Sequence, residues 1–176
     1  MKNRTLSGPV NFVLALLTVG ILSLSLTLPV QAASHPVPFK AQITAHDQVS
    51  NDSVSCPVPP NFASTILGTG VGTHLGRFTA TMHDCFTPAG PGVFVFQSGV
   101  FTLTAADGSE VHGTYSGQLT ATPTTSHDAV FDLHGTYTIT GGTKRFQDAT
   151  GSGVMEGKDN ILTGEVTVTL TGSINF

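Results

Sequence analysis

Two tyrosines, seven histidines and one basic–acidic cluster hold most of the chemical capacity of this 176-residue chain. Tyr115 and Tyr137 fall on inward-facing positions of adjacent predicted strands. Side by side, their hydroxyls are able to orient a ligand oxygen or act as a weak acid pair. The plainer reading is two core tyrosines, each with a satisfied hydroxyl. His46-Asp47, His83-Asp84 and His127-Asp128 fall at strand ends or loops. His112 and His134 face outward, and with Asp132 or Glu110 they have the donor chemistry for zinc. No compact ligand spacing joins them, so no metal is implied, and solvated histidines are the plainer reading. Lys144, Arg145 and Asp148 cluster at one predicted barrel mouth, suited to an acidic ligand group such as a carboxylate. The plainer reading there is a solvated loop with a weak Arg–Asp pair. No Gly-x-Ser-x-Gly elbow, phosphate loop or His-Glu-x-x-His motif occurs, and no cofactor is implied.

The elements that must position these residues read as strands. Alternation of period two recurs without a competing helical period. It predicts strands over 39–46, 65–73, 75–86, 93–105, 110–122, 129–140, 150–157 and 161–175. Eight strands with short connections point to an all-β sandwich or closed barrel. On the fourth strand Gly99, Phe101 and Leu103 face inward. On the fifth the inward row is Val111, Gly113, Tyr115, Gly117 and Leu119. On the sixth it is Phe131, Leu133, Gly135, Tyr137 and Ile139. On the last it is Leu162, Gly164, Val166, Val168, Leu170, Gly172 and Ile174. No carboxylate, histidine or lysine falls on an assigned inward position.

Turn chemistry tests these faces. A three-residue loop Ala106-Asp107-Gly108 pairs Leu103 with Val111, Phe101 with Gly113 and Gly99 with Tyr115. A two-residue Asp159-Asn160 turn pairs Gly157 with Leu162, Met155 with Gly164 and Gly153 with Val166. Inward glycines thus oppose large inward side chains, which suits a narrow filled barrel. A slot between the glycine columns for a flat apolar ligand is the sharper alternative. A ligand site would need a cavity of about 300 Å³ or more.

Residues 1–32 read as a signal peptide. Lys2 and Arg4 precede an apolar run from Phe12 to Leu28, and Val30-Gln31-Ala32 places small residues for cleavage after Ala32. A retained membrane anchor is the rival reading, and the run is short for a span. After cleavage, residues 33–64 supply an N-terminal strand and an irregular disulfide-tethered segment, and 65–176 the remainder of one domain. No transmembrane segment is then expected. The remaining chain is acidic with no basic patch, which excludes nucleic acid as a natural partner. Cys56 and Cys85 are the only cysteines, and in an exported chain they most simply form one disulfide. Residues 47–64 hold Pro57, Pro59 and Pro60 and read as irregular, placed to plug or lid a barrel end. Outward threonines (Thr163, Thr167, Thr169 and Thr171, with Thr136 and Thr138) offer a flat face for an interaction role or simply reflect β-propensity.

One corner carries a family likeness. Thr140-Gly141-Gly142-Thr143-Lys144-Arg145-Phe146, followed by Ala149-Thr150-Gly151, resembles the GGTGRF…A.G segment of the allene oxide cyclase-like barrels, which include dirigent proteins and secreted bacterial members. Lys144 stands where that pattern usually has Gly. Gly72-Thr73-His74-Leu75-Gly76-Arg77-Phe78-Thr79, the segment Phe101–Gly108 and Gly113-Thr114-Tyr115-Ser116-Gly117 resemble further pieces of the bacterial group. The likeness covers about residues 65–176. It implies an eight-stranded antiparallel barrel with a hydrophobic interior, self-association into a homo-oligomer, and a cyclase, isomerase or coupling-guide activity on a hydrophobic substrate. The residues themselves favour a secreted, non-catalytic barrel that binds a small apolar molecule or serves a structural role at the cell surface. The expected ligand contacts are Tyr115, Tyr137, Phe101, Phe131 and Phe78.

Overall fold

The computed structural model describes residues 35–57, 62–122 and 129–176. The expected signal peptide, Pro59-Pro60 and His127-Asp128 lie outside these residues. Eight strands run in order: β1 (Val37–Asn51), β2 (Phe62–Gly72), β3 (Gly76–Gly90), β4 (Val93–Ala105), β5 (Glu110–Ala121), β6 (Val130–Gly142), β7 (Thr150–Asn160) and β8 (Glu165–Asn175). Each pairs antiparallel with its neighbours, and β8 pairs back onto β1, so the sheet closes into a barrel. One 3₁₀ turn, Lys144–Phe146, interrupts the pattern.

Closure follows from the alternation. Inward rows such as Val111, Gly113 and Tyr115 are buried, while Thr114, Ser116 and Gln118 between and beyond them are exposed. An outer face of threonine, serine and glutamine on β5 differs from the apolar outer band of a membrane-spanning barrel. Among the described residues no helix is long and apolar enough to cross a membrane.

The β4–β5 register matches the sequence expectation: Leu103 pairs with Val111, Phe101 with Gly113 and Gly99 with Tyr115. Gly108 closes the loop at a φ of 72°, donating its N–H to the Ala105 carbonyl at 2.9 Å. The β7–β8 hairpin differs. Its turn is Ile161–Gly164, not Asp159-Asn160, and Gly157, Met155 and Gly153 pair with Val168, Leu170 and Gly172. The Asn160 side chain decides this, because its Oδ1 accepts the N–H groups of Leu162 and Thr163 and nucleates a longer turn. The shift is an even number of residues, so Val166, Val168, Leu170 and Ile174 stay inward. Leu162 does not: it lies at the turn tip, 71% exposed. Asp159 moves from the expected turn into β7.

A bulge at Gln97-Ser98 shifts β4 against both neighbours. Ser98 adopts a φ of 56°, a strained conformation for a residue with a Cβ. The extra residue lets both Phe96 and Gly99 point inward. Large side chains lie over cross-strand glycines as the faces predict: Phe101 over Gly113, Tyr115 over Gly99, Phe96 over Gly117 and Phe78 over Gly70. In the half holding the β1 start and the β8 end, this packing fills the barrel. Phe39, Leu103, Val111, Tyr137, Ile139, Phe146 and Ile174 are almost wholly buried there. Phe176 meets Phe146 edge-on, ring centroids 5.0 Å apart. The filled-core expectation describes this half and not the other.

Candidate functional site

At the opposite end of the barrel the same alternation builds a hollow. On β3 the inward row continues Met82, Asp84, Phe86; on β7 it continues Met155, Gly157, Asp159; on β1 it continues Ile43, Ala45, Asp47, Val49. On β2 the order reverses, with Phe62 near the rim, then Ser64, then Ile66. The rows stack into levels. Ile66, Met82, Leu133, Met155 and Val168 form an apolar floor. Asp47, Ser64, Asp84 and Asp159 form a polar tier. Val49, Phe62, Phe86, Phe94 and Ile161 form an apolar rim. The cavity they line is about 330 Å³. Short side chains in the polar tier leave this space, because an aspartate or serine fills less of a barrel layer than Phe or Leu does.

The tier is held by hydrogen bonds and strained by like charge. The Tyr115 hydroxyl donates to Asp84 Oδ2 at 2.7 Å, and the Ser64 hydroxyl donates to Asp47 Oδ1. Burial pushes the Asp84 carboxyl up to about 7; the Tyr115 hydrogen bond opposes this, and Asp47 and Asp159 add repulsion. Asp159 rises to about 6 through burial and then through the field of Asp47. Asp47 is also raised by burial, partly offset by Ser64, the Gln48 amide and His46. Burial, then neighbouring Asp84, pushes the Tyr115 hydroxyl above its usual range. Asp159 Oδ1 is buried with no hydrogen-bond partner among the described residues. Among the described residues, no lysine, arginine or histidine lines the cavity.

These carboxylates overturn the expectation of an uncharged interior. For Asp47 and Asp159 the reason is strand length, whereas Asp84 falls within the strand expected over 75–86, for which no inward row was assigned. β1 runs on through Asp47 and β7 through Asp159, both past the predicted ends, and the segment predicted as irregular supplies Ser64 within β2. The signal was present: each Asp sits two residues beyond an inward apolar or small residue on its own strand.

Of the expected ligand contacts, Tyr115 lines the cavity. Tyr137 pairs with it across β5 and β6, yet the two hydroxyls diverge. That of Tyr137 lies over Gly153 and Gly172, buried without a partner among the described residues, and burial raises it to about 12. The tyrosines are therefore not an acid pair. Phe101 and Phe78 belong to the filled half, packed over Gly113 and Gly70. Phe131 supports the wall from beside Phe94, ring centroids 5.6 Å apart. Lys144 and Arg145 lie at the sealed end, with their loop. The Lys144 Nζ donates to the Asp107 carbonyl at 2.7 Å, and Arg145 Nε lies 3.5 Å from Asp107 Oδ2 with its guanidinium over Phe146. Asp148, exposed on the same loop, takes no part in that pair. Lys144 holds a φ of 52°, the conformation a glycine adopts freely.

His112 and His134 do not meet. His112 pairs across the sheet with Gly141 and bonds Glu110 on its own strand at 3.0 Å, while His134 faces Gln118. Asp132 is engaged by Lys158 at 2.7 Å. Among the described residues no group of three metal-ligating side chains converges. Cys56 and Cys85 are joined in a disulfide with Cα atoms 5.5 Å apart, beside Asp84 at the hollow end.

No protein-family model matches the chain, and no curated protein and no solved structure is similar to it.

Proposed function

We propose that this barrel is an exported carrier or receptor for a small, largely apolar molecule, held in the hollow half with a polar group against the Asp84–Tyr115 pair. The observation that carries the reading is the 330 Å³ cavity with apolar floor and rim and a prebuilt polar tier. Sites of this size, mostly apolar with a few convergent polar groups, suit small ligands. Exposed Val49, Val54, Ile161 and Leu162 at that end extend the apolar rim outward. Export accords with the disulfide, which persists in oxidising compartments, and with the leader-like N-terminus. The likeness to allene oxide cyclase-like barrels points the same way, toward a hydrophobic occupant. The test is displacement of a fluorescent apolar probe. Leu133→Trp, which fills the floor, abolishes probe binding if the reading holds; unchanged binding would refute it.

A second reading, an isomerase or cyclase acting on the held molecule, rests on Asp84. A buried carboxyl at about 7 is poised for general acid–base work, and Tyr115 fixes its orientation. Under this reading Asp84→Asn abolishes turnover of an unsaturated epoxide substrate while leaving probe binding intact. Turnover that survives Asp84→Asn would eliminate it.

A further inference from the structure

We infer that the molecule this lumen selects is an amphiphile whose polar end is a protonated amine. The inference rests on the ligand-binding reading above and adds the chemical class of the ligand. Three carboxyl groups, Asp47, Asp84 and Asp159, look into one cavity from β1, β3 and β7. Asp84 and Asp159 are 8% and 5% exposed. Among the described residues, nothing cationic lines the cavity to offset them. Asp159 lines this space, and its Oδ1 is buried with no donor among the described residues. A buried acceptor left without a donor is costly, and a ligand that supplies N–H groups removes the cost.

An ammonium group fits this need in number and sign. It carries three donors and no acceptor. It forms charge-assisted bonds to carboxylates, stronger than neutral ones. Ion pairs buried on binding usually gain little, because both charges must leave water. Here the carboxylates are desolvated in advance, so only the amine gives up hydration. The floor and rim then receive the apolar part. A fatty acid carries the wrong sign for this tier. An alcohol supplies one donor and no charge.

Among the described residues, the titratable groups facing the site are Asp47, Asp84, Tyr115 and Asp159, from β1, β3, β5 and β7. Strands β2, β4, β6 and β8 contribute Ser64 and apolar side chains. His46 acts on Asp47 from the outer face of β1. Ionisation of the tier strengthens amine binding, and protonation weakens it.

The experiment is competition of decylamine, decanol and decanoic acid, below their micellar concentrations, against a neutral fluorescent apolar probe. Wild type is compared with Asp84→Asn, Asp159→Asn, the double variant and Glu156→Gln, which alters an exposed acid on the outer face of β7. Decylamine is expected to bind about tenfold or more tightly than decanol at pH 8. Decanoic acid is the weakest of the three. The preference for amine over alcohol shrinks in each Asp variant, largely vanishes in the double variant, and is kept in Glu156→Gln. Between pH 5 and pH 8 the affinity for decylamine rises while that for decanol stays level. Binding of probe and decanol with no preference for decylamine would overturn the inference and leave the cavity reading standing. A preference that survives in the double variant would likewise overturn it, locating the attraction in the acidic surface. Binding of neither probe nor any competitor would overturn both.

Discussion

The two halves of this barrel obey one pairing rule and reach opposite ends. In the sealed half, Phe101 and Tyr137 spread over Gly113, Gly153 and Gly172, and Phe146 closes the end with no exposed surface. In the hollow half the corresponding layer is Asp47, Ser64, Asp84 and Asp159, too short to meet across the axis. Tyr115 and Tyr137 make the contrast at adjacent positions. One hydroxyl bonds a carboxylate in the cavity, and the other is packed over glycine with no partner among the described residues. The lesson is that a barrel is hollow where its inward row turns short and polar. The sealed half supplies the stability that lets the other half carry buried acids, each of which disfavours folding unless protonated or paired.

The largest effect that separates the halves is a cavity mutation in the sealed one. Phe39→Ala is expected to destabilise by about 3–5 kcal/mol, because its site is closed on all sides. Phe94→Ala, at the half-buried rim, is expected to lose about 1–2 kcal/mol. Denaturant melts check this, and equal losses would erase the distinction between the halves.

Next comes the disulfide at the hollow end. It closes a loop with a sequence separation of 29 residues. Cys56→Ser with Cys85→Ser is expected to cost about 3–4 kcal/mol in the chain-entropy model. Hydrogen exchange should quicken at the ends of β2 and β3 first. Uniform quickening would show that the disulfide supports both halves alike.

The acidic tier predicts an uncommon pH dependence. Asp84 and Asp159 bind protons more tightly folded than unfolded, rising from 3.8 to about 7 and about 6. Their contribution is fully present below the unfolded value and is lost as pH rises through the folded one. Thermal stability should therefore fall between about pH 4 and pH 7. Asp84→Asn should raise stability at pH 8 by about 1–3 kcal/mol and change little at pH 4. A wild type whose stability rises over that interval would contradict the buried tier.

The smallest effect belongs to the loop at the sealed end. Lys144→Gly relieves a φ of 52° but loses the bond to the Asp107 carbonyl. The net gain is expected to lie within about 1 kcal/mol, with no change in ligand affinity. A change in affinity would tie the sealed end to the site.

Much of the fold was legible in the chain. Alternation placed all eight strands, and the Ala106-Asp107-Gly108 loop fixed the β4–β5 register because only a left-handed Gly108 keeps Leu103 and Val111 on one face. The site was less legible. Asp159-Asn160 has the composition of a tight turn, and only the Asn160 side chain, capping a longer loop, returns Asp159 to the strand. Asp47 sits beyond the point where β1 turns polar outside and exposed. The bulge at Ser98, which brings Phe94 and Phe96 to the lumen, breaks the period that sequence reading relies on. Cavity volume depends on how the rows stack around the axis, which no single strand reveals.

The claim that one half is hollow and ligand-ready while the other is packed has a direct test. Met82 and Met155 both line the cavity, whereas Ile139 and Ile174 lie in the sealed half. Methyl NMR of methionine- and isoleucine-labelled protein, titrated with an apolar probe, reads both halves at once. The account predicts saturable shifts at Met82 and Met155 and none at Ile139 or Ile174. Silent methionine methyls, or equal shifts in both sets, would contradict it.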